Sequence, residues 1–251
     1  MKIYGYWVVP AVLCSAFHVG AQAAEDEKEK ADPKWGGEAN LAYVNSEGNT
    51  QSTNLDFRGK AERKSSLWNS LLKLEASNET VDREEGSGID RVAEEYFASG
   101  KGEYNLSEKS YLYGLLEYTV DKFSGYNYDA VLTAGIGRNF LDTDTQELSG
   151  DIGVGYRQSE LEDPELLEED AVLRLAATYK WKISDSATFE EEFSTELGEL
   201  KNVTKSFTRL RLKINGSLSA SFAYEIEHVS DVPPDVKNSD RKTLVGLVYE
   251  F

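Results

Sequence analysis

The feature that limits this chain most is a period of two. In the last eleven residues, RKTLVGLVYEF, Thr243, Val245, Leu247, Tyr249 and Phe251 share one face of an extended strand. Lys242, Leu244, Gly246, Val248 and Glu250 share the other. One face is apolar as far as its last aromatic, while the other still carries charge. A solvated edge has no use for so continuous an apolar face. The pattern suits a strand with lipid on one side and water on the other.

The same alternation recurs about twelve times from Trp35 to Phe251. Outward sets include Leu55, Phe57, Gly59 and Ala61, then Leu112, Gly114, Leu116 and Tyr118, then Leu173, Leu175, Ala177 and Tyr179. Each run has roughly the 9–13 residues that a tilted strand needs to cross a bilayer. Short connections at 63–66, 107–110, 183–186 and 215–217 alternate with longer ones at 80–90, 158–169 and 230–240. Aromatics mark both strand ends, with Trp35, Trp68, Tyr104, Phe140, Trp181 and Phe189 at one level and Tyr43, Tyr118, Tyr128 and Tyr156 at the other. Together these predict an all-β fold: a closed antiparallel transmembrane β-barrel of about twelve strands over residues 35–251. Glu94 and Glu191 fit least well, because both fall on the outward face. Glu94 is near a strand end and can reach headgroups. For Glu191 two readings stand: a carboxylate facing lipid, or a bulge in Glu190-Glu191-Glu192 that turns it inward.

Residues 1–23 read as an export signal. Lys2 is the only charge, an apolar run spans Ile3 to Phe17, and Ala21-Gln22-Ala23 precedes a cut near Ala24. Leu13 before Cys14 does not suit lipid modification, and Cys14 is the only cysteine, so the exported chain has no thiol chemistry. Residues 24–34, AEDEKEKADPK, form a charged tether with no apolar face, predicted disordered. The chain carries 27 basic against 45 acidic residues, a formal net charge of −18. That balance excludes nucleic acid as a partner, since phosphate contacts need a basic surface. Beyond residue 23 no apolar stretch of about 20 residues appears, which excludes helical spans but not a barrel.

The inward faces carry organised charge. The eighth predicted strand turns in Arg174, Lys180 and Lys182, and the ninth turns in Glu190, Glu192 and Glu196. The tenth answers with Arg209, Arg211 and Lys213, and the eleventh with Glu225 and Glu227. Neighbouring antiparallel strands bring such groups within pairing distance. The ladder either braces the barrel and narrows it or lines a polar pore that sorts solutes by charge. Catalysis finds little to work with. His228 has outward parity and points away from Ser219 and Ser221, so no Ser-His-acid set converges. No metal or phosphate spacing appears, and no cofactor is expected. Loop acids, Asp82, Glu84 and Glu85 and then Glu160 through Asp170, either solvate the loops or hold divalent cations near lipopolysaccharide.

The segment WGGEANLAYVNSEGNTQSTNLDFRGKAE, the glycine-rich LTAGIGRNF and DIGVGYR strands, and the terminal VGLVYEF carry a resemblance. The chain resembles the salt-induced outer-membrane protein family, bacterial proteins of unknown function. The resemblance implies a bacterial outer-membrane location and induction by salt, and it supplies no catalytic or binding residues. The expected partners are outer-membrane lipid, lipopolysaccharide and the barrel assembly machinery, with Val245, Leu247, Tyr249 and Phe251 as the insertion signal. The functional expectation is a non-enzymatic barrel, either a narrow channel for small polar solutes or ions or a structural barrel with cation-binding loops.

Overall fold

The computed structural model describes residues 34–47, 52–82, 89–122, 124–162, 166–232 and 236–251. The predicted export signal, and the predicted tether up to residue 33, lie outside the described residues. The first six strands are β1 (Lys34–Glu47), β2 (Ser52–Lys64), β3 (Trp68–Asp82), β4 (Ile89–Asn105), β5 (Ser110–Asp121) and β6 (Tyr126–Asp142). The others are β7 (Gln146–Leu161), β8 (Leu167–Lys182), β9 (Ala187–Leu197), β10 (Val203–Lys213), β11 (Leu218–Val229) and β12 (Ser239–Glu250). Every strand pairs antiparallel with the next, and β12 returns to β1, so the sheet is a closed barrel of twelve strands. Closure removes the unpaired edges that a sheet cannot expose to lipid.

The closing seam lies where the period-two reading puts it. Tyr43 faces Val245, Leu41 faces Leu247, and Ala39 faces Tyr249. Beyond the ladder, Gly37 N–H donates to the Phe251 carbonyl at 3.0 Å, and Phe251 N–H donates back to the Gly37 carbonyl at 3.0 Å. A Cβ on Gly37 would meet the Phe251 ring and, at 2.8 Å, the Lys60 carbonyl oxygen, so only glycine fits beside the terminal aromatic.

Exposure is inverted relative to a water-soluble protein. Val154 is 68% exposed and Leu132 60%, while Arg157 is 2% and Asp56 2%. The strands outrun the predicted connection at 158–169, because Gln158 to Glu160 continue pairing with β8 up to Leu167. The aromatic belts form as contacts: Trp68 and Tyr104 lie 5.1 Å apart at the short-turn end, and Tyr118 stacks on Tyr128 at 5.9 Å near the long-loop end. The register through Glu190–Glu192 is unbroken on both sides, so the bulge reading fails and Glu191 stays on the lipid face. Glu94 meets Lys122 at 2.8 Å and accepts from Tyr96 Oη at 3.2 Å, at the outer end of its strand.

Inside, small residues make room for large ones. Tyr113, Gly135, Gly153 and Arg174 share one register row across β5 to β8. A Cβ on Gly153 would strike the Tyr113 hydroxyl, and one on Gly137 would strike the Tyr111 ring. The two buried tyrosines therefore lie flat over a glycine floor, packing with Leu115.

Candidate functional site: the barrel lumen

Strand alternation sends most of the charged side chains of the strands toward one axis, and what they do there depends on the ring order. Some expected neighbour-strand pairs form. Arg209 Nε donates to Glu190 at 2.7 Å, Arg211 lies 3.0 Å from Glu190, and Arg174 lies 3.5 Å from Glu196, while Glu227 meets Lys205, outside the expected set, at 3.3 Å. Other ladder residues reach across the lumen. Glu192 pairs with Lys73 on β3, six strands away and diametrically opposite. Glu225 holds Arg58 of β2 at 2.6 Å, and Arg58 also contacts Asp56 at 2.8 Å. Arg209 additionally reaches Glu38 on β1 at 2.7 Å, and Lys242 reaches Glu95 on β4.

These bridges form a septum at mid-height. Lys205 of β10 lies 5.8 Å from the ring centroid of Phe97 on β4, a second contact spanning the full diameter. Arg58 sits 4.9 Å over the Phe207 ring, which also packs against buried Ala42, Ala223 and Leu244. On either side of the septum the lumen opens into a cavity. The one at the long-loop end holds about 160 Å³, with Glu95, Phe97, Glu117, Tyr126 and Lys205 among its walls. The one at the short-turn end holds about 270 Å³. Lys180, Lys182 and Lys213 line this lower cavity, and Lys182 meets Asp185 at 3.1 Å in the turn below.

The upper cavity is narrowed by the connection between β9 and β10, which folds inward. Lys201 is only 6% exposed. Its ammonium lies 2.8 Å from Asp129 and 3.8 Å above the Tyr126 ring. Asp170 accepts the backbone N–H groups of Glu199 and Leu200, each at 3.0 Å, and Arg157 donates to the Lys201 carbonyl at 3.3 Å. Asp170 was expected among the solvated loop acids. It is instead 7% exposed, because β8 carries it into the barrel where it caps this turn. Of the other loop acids, Glu84, Glu85, Asp163 and Glu165 lie outside the described residues.

Sequence reasoning named the charges of β8 to β11 and put Lys242 on the charged face of the terminal strand, and it left out Arg58, Lys73, Glu95 and Glu38. Their alternation was a usable signal, but their partners lie up to half a circumference away. It also left out a serine for His228: Nδ1 lies 2.8 Å from Ser239 Oγ on the outer face. Ser219 and Ser221 are buried and turn inward, away from it. Val245, Leu247, Tyr249 and Phe251 all expose their side chains on the lipid face of β12 and just past it.

A lipid-facing apolar exterior, a closed antiparallel ring and a charged lumen define a transmembrane β-barrel of the outer-membrane type. Similar folds include a NanC porin, with a TM-score of 0.56 and 10% identity over 84% of this chain and 98% of that one. The translocator domain of the autotransporter NalP from Neisseria meningitidis gives a TM-score of 0.53 and 10% identity, covering 86% of this chain and 88% of that one. The chain belongs to the family described as protein of unknown function, DUF481, whose pattern matches residues 39–251. The uncharacterized protein YdiY of Escherichia coli strain K12 is 28% identical over 229 residues, covering 90% of this chain and 87% of that protein.

Proposed function

We propose that the protein is a non-enzymatic outer-membrane channel of narrow bore, passing small polar solutes or ions. It sits among outer-membrane lipid and lipopolysaccharide, and the barrel assembly machinery inserts it through the strand ending in Val245, Leu247, Tyr249 and Phe251. One observation carries the reading. Cavities with charged side chains in their walls enter the lumen from both mouths, and the Lys73–Glu192 ion pair spans the barrel between them. Side-chain ion pairs can exchange partners on the timescale of rotamer motion, whereas a backbone plug would have to unfold. Charged rings of this kind discriminate among solutes by sign. The association with salt implied by the family resemblance belongs to the same proposal, since a barrel that passes no ions has no direct part in ionic balance.

The test is electrical. Purified protein reconstituted in a planar bilayer should give small, discrete conductance steps. A bilayer that stays silent after verified insertion would reduce the protein to a structural barrel. The alternative of cation-binding acidic loops is the weaker one, because Asp170 is committed to backbone amides inside the barrel.

A further inference from the structure

The wall built by β9 and β10 departs from the apolar exterior. Glu191, Thr195, Thr204, Ser206 and Thr208 all lie on its lipid face. Glu191 accepts from Ser206 Oγ at 2.9 Å and from Thr208 Oγ1, and the Thr195 and Thr204 hydroxyls lie 2.9 Å apart. Its Glu191 end is not at a rim, while Thr195 and Thr204 lie close to the turn that joins β9 to β10. Phe189 and Phe193 flank Glu191 on its own strand, and Thr208 sits between Leu210 below and Ser206 above. A carboxylate offers roughly four acceptor positions. Two hydroxyls leave part of that capacity unfilled, and lipid tails fill none of it.

We propose that this seam is where a second copy of the chain docks in the plane of the membrane. Two observations choose that occupant. First, the patch carries hydroxyl donors and carboxylate acceptors side by side, so it is complementary to itself, as a two-fold interface requires. Between elements in lipid, polar groups of this kind hold partners together where apolar contact cannot. Second, β9 and β10 have 11 residues each and begin a run of short strands that continues through β11 and β12 at 12 each, whereas β4 and β6 have 17. A short wall thins the bilayer beside it, and association relieves that mismatch. A second copy brings a wall of the same height, with exposed Phe193 and Phe222 supplying contact beside the polar seam.

The experiment uses full-length protein exported to the membrane. Thr195→Cys should give a disulfide-linked dimer on mild oxidation in native membranes. Leu74→Cys, on the opposite wall in β3, should not. In reconstituted vesicles the double substitution Glu191→Leu with Thr208→Val should weaken self-association about tenfold or more, the loss expected from one or two interfacial hydrogen bonds in lipid. The circular-dichroism spectrum of a folded barrel should persist, because the new side chains face lipid. A monomer at every protein-to-lipid ratio with no Thr195→Cys link would overturn the assignment, as would a link formed only to a different envelope protein.

Discussion

Arg58 shows what a single inward charge does in this barrel. It touches Asp56, Glu75 and Glu225, and its side chain is 14% exposed. Arg58→Ala would leave three carboxylates facing one another in a confined lumen, a loss of about 3 kcal/mol by analogy with broken buried pairs. Lys180 lines the roomy lower cavity instead, and Lys180→Ala should change stability by about 0.5 kcal/mol or less. Urea unfolding of both variants in lipid vesicles checks the contrast, and equal losses would mean that the lumen is uniformly hydrated. At this scale the sequence told which face each charge occupies but not which charge it meets. Lys73 and Glu192 are 119 residues apart, and their contact depends on barrel diameter and stagger, which no local pattern encodes. The glycines under Tyr111 and Tyr113 were equally hidden, because a glycine in an alternating strand does not announce which ring will lie over it.

The connection between β9 and β10 is the element that most changes the lumen. It looks like an ordinary polar turn, yet Asp170, Arg157 and Asp129 on three neighbouring strands pull it inward. Asp170→Ala would leave the Glu199 and Leu200 N–H groups without their carboxylate. The expected cost is about 1–2 kcal/mol, the net worth of two hydrogen bonds to a carboxylate at a partly exposed turn. Hydrogen exchange at Leu200 should accelerate while exchange in β10 beyond Phe207 stays slow. Acceleration throughout β10 would mean that the turn is a fold determinant and not a separable inward flap. Strands and their faces were readable because the period of two is long and repeated. This turn was not, because its capping group, Asp170, reads from sequence as one more acid in a run of loop acids.

For the molecule as a whole, closure follows from lipid: a sheet in hydrocarbon must satisfy every edge. Whether the ring is open inside follows from the septum. Replacing its widest bridge through Lys73→Ser with Glu192→Ser removes both ends together, so the net charge of the lumen is unchanged. If the septum sets the bore, this double variant should show larger single-channel steps than the native protein with the same insertion yield. Unchanged steps would move the constriction elsewhere, to the inward turn or to the Lys205–Phe97 contact.

The bridge from Lys73 to Glu192 has a mechanical consequence as well. A ring of paired strands is easily squeezed into an oval, since each hinge between strands yields a little. A bonded pair strung across the full width acts as a tie-rod and, while it is made, resists the parting of opposite walls. Cutting it should soften the whole cylinder, including strands that never touch either residue.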